Sequence, residues 1–96
     1  MHPKVHEIKS WPEFFRAIED QDKTADLRRS DRDFQVGDYV LFREFDPHEA
    51  KHHDPDRGDT GASCLVKITH ITEPADNVGV PGGFVMLSIA YLDSQG

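Results

Sequence analysis

The chain has one cysteine, one tryptophan, two methionines and no long apolar run in its 96 residues. A lone Cys64 can form neither an intrachain disulfide nor a thiolate-rich zinc cluster, which fits a reducing cytosol. No stretch approaches the roughly 20 apolar residues needed to span a bilayer, and no basic region followed by an apolar run stands near the start. A soluble, cytoplasmic chain without membrane contact is therefore expected. An excess of positive charge is missing as well: 11 Lys and Arg face 18 Asp and Glu, a formal net charge of -7. Proteins that hold long nucleic acid gain affinity by releasing counterions to a basic surface, so this balance argues against that class. There is no internal repeat, and a chain of this length buries one modest core, so residues 1–96 are expected to form a single domain.

The cations that are present are unevenly placed. Residues 4–32 hold seven Lys or Arg against seven Asp or Glu, whereas residues 46–96 hold three against eight. A local basic cleft on an acidic body would suit a short or single-nucleotide ligand better than a long duplex.

Val5 to Lys9 alternates apolar and polar residues and reads as a short strand with Val5 and Ile8 directed inward. Ser10 and Glu13 match a capping box with Pro12 in the first turn, so a helix is expected to start here and to end near Asp20. Trp11, Phe14, Phe15 and Ile18 recur on one helical face, which should pack on a sheet. Strands are expected over 24–29, from Tyr39 to Phe45, over 62–72 and over 84–91, the last apolar on both faces and hence central or barrel-closing. Phe34 is the buried aromatic of a polar connection that ends in a Val36-Gly37-Asp38 turn. Residues 46–61, rich in His, Asp, Pro and Gly, read as a flexible loop, and 74–83 as another. This order gives an α+β fold built on a curved or closed sheet, with a small barrel as the natural way to hide its edges.

The segment from Asp22 to Asp38 carries the chemistry. In a strand over 24–29, alternation puts Thr24, Asp26 and Arg28 on one face, with Ala25 and Leu27 toward the core. A hydroxyl, a carboxylate and a guanidinium would then meet one polar ligand. Lys23, Arg28, Arg29 and Arg32 interleave with Asp22, Asp26, Asp31 and Asp33. A solvated lattice of surface ion pairs is the simpler explanation, but the fixed fork of arginine also suits phosphate or a base edge. Trp11 opens the apolar stripe and is expected in the core, the functional alternative being a ring stacked on a base. His6 reads as a structural hydrogen-bonding residue. His48, His52, His53, Asp54 and Asp56 are metal-ligand types without regular spacing, so no metal site and no cofactor are assigned. Cys64 paired with His70 as a nucleophile is weaker still, and Cys64 reads as a small hydrophobe.

Three strings, His6-Glu7-Ile8-Lys9-Ser10-Trp11-Pro12-Glu13-Phe14-Phe15, Lys23-Thr24-Ala25-Asp26-Leu27-Arg28 and Asp31-Arg32-Asp33-Phe34-Gln35-Val36-Gly37-Asp38, together with Leu41-Phe42-Arg43-Glu44-Phe45-Asp46, resemble the DUF3850 family. That family belongs to the ASCH group of the PUA-like superfamily. The resemblance covers nearly the whole chain and implies a small PUA-like (ASCH-type) β-barrel with one N-terminal helix beside a cleft. It also implies relatives that bind RNA or read modified bases. Some ASCH proteins are amidohydrolases of 4-acetylcytidine that use a Lys and a Thr of the strand motif plus a distant Glu. Lys23 matches that lysine, Asp26 stands where the threonine would be, Thr24 lies two residues earlier, and Glu73 is the nearest glutamate.

Three functions follow as expectations. The first is an RNA or modified-nucleotide binding module in which His6, Lys9, Trp11, Lys23, Asp26, Arg28 and Arg32 line the ligand site. The second is an amidohydrolase of an acylated or modified nucleoside, with Lys23, Thr24 and Asp26 as the catalytic group. The third is an acidic, non-enzymatic module that meets a protein partner through the acidic C-terminal half, including Asp54 and Asp56.

Overall fold

The computed structural model describes residues 2–49, 58–77 and 79–96. Its elements run β1 (Val5–Ser10), α1 (Pro12–Glu19), β2 (Ala25–Arg29), β3 (Tyr39–Phe45), β4 (Asp59–Thr72) and β5 (Phe84–Gln95). The five strands form one mixed sheet in the order β1-β3-β4-β5-β2. β1 runs parallel to β3, and the other pairs are antiparallel. β5 is an interior strand, as expected, between β4 and β2; its Val85, Leu87 and Ile89 face the core, while Phe84 and Met86 are half-buried on the other face.

Length and irregularity curl the sheet into a half-barrel. β4 has 14 residues and β5 has 12, and their pairing slips between Leu65 and Val66 and again between Ile68 and His70. A third irregularity falls between Arg43 and Phe45, opposite Gly61, whose φ of 86° suits a residue without a side chain. Each bulge bends its strand and increases the local twist. The strand therefore starts three residues earlier than the expected 62, at Asp59, where Arg43 donates to the carboxylate from Nη2 at 2.8 Å. The sheet does not close into a full barrel among the described residues, because β1 and β2 are its two edges and do not pair.

The core fills the concave side. Val40 and Phe42 of β3, Cys64, Val66 and Ile68 of β4, and Val85, Leu87 and Ile89 of β5 meet Phe15 and Ile18 of α1. Burial of side chains of this size stabilises by about 1.5–3 kcal/mol each. Cys64 is part of this packing, where burial and the neighbouring Glu19 charge push its thiol up to about 12. His70 is exposed and six residues further along β4, roughly 20 Å of strand away, so the two form no nucleophile pair.

Several local expectations are corrected. Within β1 the inward residues are His6, Ile8 and Ser10, while Val5 is exposed, since Val5 and Ile8 have opposite parity in a strand. Ser10 does not cap α1: its pairing position opposite Glu44 keeps it in the strand, and the extended Trp11 precedes Pro12 without a side-chain cap. The helix ends as expected, with Asp20 as its C-cap.

His6 and Asp38 lock β1 to the turn before β3. The Asp38 carboxylate accepts hydrogen bonds from the backbone N–H of Lys4 at 3.0 Å and of Gln35 at 3.1 Å, and meets His6 Nε2 at 2.9 Å. Burial pushes the Asp38 carboxyl up, but these hydrogen bonds outweigh it and hold the group below its ordinary value. Gly37, with φ of 96°, closes the intervening turn. Phe34 is buried as expected and its ring lies 4.7 Å from that of His6.

Candidate functional site: the seam between the sheet edges

The gap between the unpaired edges β1 and β2 is a cleft of about 410 Å³, within the usual range of small-ligand sites, roughly 300–1,000 Å³. β1 contributes Lys9 and Ser10, the start of α1 contributes Trp11 and Phe14, and β2 with its approach contributes Lys23, Asp26, Leu27 and Arg28.

The β2 face is the reverse of the one expected. Asp26 is 7 % exposed and points inward, whereas Leu27 is 43 % exposed. Pairing with β5 decides this, because directly opposite residues share a face. Asp26 lies opposite the fully buried Leu87 and Arg28 opposite the buried Val85, while Leu27 faces Met86 on the other side. Asp26 and Arg28 thus occupy core positions at the edge of the sheet, where the cleft admits solvent.

An inward carboxylate needs compensation. Asp26 receives it from Lys23 Nζ at 3.2 Å and from Arg28 Nε at 2.5 Å. Lys23 Nζ also donates to the Ala25 carbonyl at 2.6 Å, and the Arg28 guanidinium stands 5.9 Å from the centre of the Phe42 ring. These contacts fix all three side chains. Lys9 Nζ lies 4.5 Å from the centre of the Phe45 ring, a cation-π geometry that holds the ammonium at the β1 rim.

The apolar stripe of α1 is split between two tasks. Phe15 and Ile18 enter the core, whereas Trp11 and Phe14 remain 53 % and 48 % exposed. Trp11 is therefore not the core residue expected. Trp11, the extended residue before the helix, and Phe14 in its first turn line the seam cleft instead.

Among the sequence-predicted site residues, the cleft brings together Lys9, Trp11, Lys23, Asp26 and Arg28. Arg32 lines an adjoining hollow that shares Leu27 and Arg28 with the cleft, and its Nη1 donates to the Glu7 carbonyl at 3.0 Å. His6 is engaged by Asp38 and lines neither hollow. Thr24 is exposed, precedes β2, and lines a different hollow beside Ile18, Gln21 and Tyr91. Glu73 is exposed just after β4. Sequence reasoning did not name Ser10, Phe14 or Leu27 as lining the site. The i, i+3 relation of Trp11 and Phe14 was the available signal for one of them.

Among the described residues no three His, Cys, Asp or Glu side chains converge as metal ligands. His48 lies in the turn after β3, and His52, His53, Asp54 and Asp56 lie outside the described residues. Among the described residues no helix is long and apolar enough to cross a membrane.

The arrangement pairs a fixed hydrogen-bonding edge with exposed aromatic faces. Fold and site together define a small α+β half-barrel domain with a polar, aromatic-walled cleft at its open seam. Over residues 5–89 the chain matches the family described as "Domain of unknown function (DUF3850)", and it belongs to that family. No curated protein matches it.

Proposed function

We propose that the chain is an RNA or modified-nucleotide binding module of the ASCH group in the PUA-like superfamily, with the seam cleft as its ligand site. The observation that carries this reading is the pairing of Trp11 and Phe14 with the Asp26, Lys23 and Arg28 cluster across one cleft. A planar base stacks on aromatic faces, and such stacking contributes about 1–3 kcal/mol per base. Asp26 would accept from an exocyclic amine, while Lys9, Lys23 and Arg28 would meet phosphate or base oxygens. The net charge of -7 fits a local contact rather than a long duplex tract. With only about two to four phosphates engaged, affinity should fall shallowly with salt.

The amidohydrolase reading gains less from the geometry. Lys23 is held by Asp26 and the Ala25 carbonyl, and Thr24 lies on a different hollow from Asp26. Incubation with acylated cytidines, followed by chromatography, tests it directly. The binding reading is tested by titrating short single-stranded RNAs against the wild type and Arg28→Ala. A clear loss of affinity in the variant is expected; equal, negligible affinity in both would remove the reading.

A further inference from the structure

The seam has a second compartment. Next to the cleft lies a hollow of about 340 Å³ lined in part by Arg28, Arg29, Asp31, Arg32 and Phe84, so that Arg28 stands at the boundary of both. The cations on the two sides are differently engaged. Lys23 and Arg28 are both ion-paired to the one carboxylate of Asp26, a trio that keeps a single net positive charge. Arg29 and Arg32 make no ion pair among the described residues, although Asp31 shares their hollow.

Both arginines are nevertheless positioned, and by neutral groups. The Arg29 guanidinium stands 6.0 Å from the centre of the Phe84 ring, and Arg32 donates one N–H to the Glu7 carbonyl of β1. An aromatic face and a backbone carbonyl orient a guanidinium without cancelling its charge, and they leave most of its five donors free. Two oriented guanidiniums with free donors thus line one hollow beside a base-sized cleft.

We infer that this compartment is a phosphate subsite, in which Arg29 and Arg32 take the phosphate of a nucleotide whose base occupies the Trp11 and Asp26 compartment. The inference deepens the nucleotide reading and rests on it. It gives the ligand a direction along the seam, with the base toward α1 and the phosphate toward the connection after β2. A terminal monophosphate and an RNA phosphodiester share the chemistry required.

Calorimetric titration of ribonucleosides, their 5′- and 3′-monophosphates and the corresponding dinucleoside monophosphates tests the subsite. Trp11, the single tryptophan, gives an independent fluorescence signal at the base compartment. The expected result at low salt is binding of a phosphorylated form about ten-fold tighter than of its nucleoside, the low end for charge-assisted hydrogen bonds at an open site. The increment should vanish in Arg29→Gln/Arg32→Gln while nucleoside affinity stays. It should persist in Lys67→Gln, which removes an exposed cation of β4 away from the seam. A preference for the terminal or the bridging phosphate supports the subsite in either case and identifies its source. Equal binding of nucleoside and nucleotide, or an increment untouched by the double variant, would overturn the subsite while leaving the base compartment standing. No binding of any probe at millimolar concentration would overturn the nucleotide reading and the subsite with it. Arg29 and Arg32 are exposed, so the double variant should unfold within a few degrees of wild type.

Discussion

Truncating neighbouring aromatics of α1 to alanine should separate core from cleft. Trp11 and Phe14 are about half exposed, whereas Phe15 is 1 % exposed. A buried aromatic typically removes 150–250 Å² from water, so each half-exposed ring removes about 100 Å². At about 25 cal/mol per Å² this is at most roughly 2.5 kcal/mol, and residual burial in the unfolded chain lowers it. No closed cavity forms at the seam, so Trp11→Ala or Phe14→Ala should cost about 1–2 kcal/mol. Phe15→Ala adds a cavity to the lost transfer energy and should cost about 3–5 kcal/mol. In a domain of this size each kcal/mol shifts the melting midpoint by about 4–8 °C. Urea and thermal unfolding followed by circular dichroism would read the difference, since that signal survives loss of the only tryptophan. The same Trp11→Ala variant should lose roughly 5- to 150-fold in affinity for single-stranded RNA, one stacked base's worth. A Trp11→Ala variant as destabilised as Phe15→Ala, or one that binds RNA like the wild type, would refute the division of the helix.

Three further outcomes are expected. Asp26→Ala leaves Lys23 and Arg28 without their partner, but both cations reach solvent, so the cost should be about 1–2 kcal/mol rather than the 3–5 of a sealed pair; equilibrium urea unfolding measures it. The Asp38 carboxyl is held below its ordinary value in the folded chain, so its contribution to stability is complete above the ordinary value of 3.8 and is lost as pH falls through the folded value. Asp38→Ala should therefore flatten the acid limb of a plot of melting midpoint against pH, and should cost about 3 kcal/mol near neutrality through its lost charged hydrogen bonds. Cys64, buried and with its thiol raised to about 12, should resist iodoacetamide at pH 8 in the native chain and react rapidly once urea unfolds it, as mass spectrometry would show.

The order of elements was legible because it rests on local signals. Pro12 starts α1, the Val36-Gly37 turn precedes β3, and the apolar run from Phe84 marks an interior strand. The faces of the edge strands were not legible. In β2 the apolar Leu27 reads as the inward residue, yet pairing with β5 places Asp26 beside Leu87 and turns Leu27 outward. That register is a non-local property, and a one-residue change of parity reverses every side chain. The same limit applies to Trp11 and Phe14: periodicity joins them to Phe15 and Ile18, while only the unclosed seam shows that half of the stripe has no sheet to cover it. The cationic segment stood out in the sequence, but which of its cations pair with Asp26 depends on the tertiary geometry.

The cleft's role as the ligand site is tested most directly by titrating the isotope-labelled chain with mononucleotides and a short single-stranded RNA while recording amide and Trp11 indole resonances. The expected result is saturable shifts concentrated at Lys9, Ser10, Trp11, Phe14 and Asp26 to Arg28, on both edges of the seam. Shifts confined to the outer face of β4 and β5, or none at all at millimolar ligand, would contradict it.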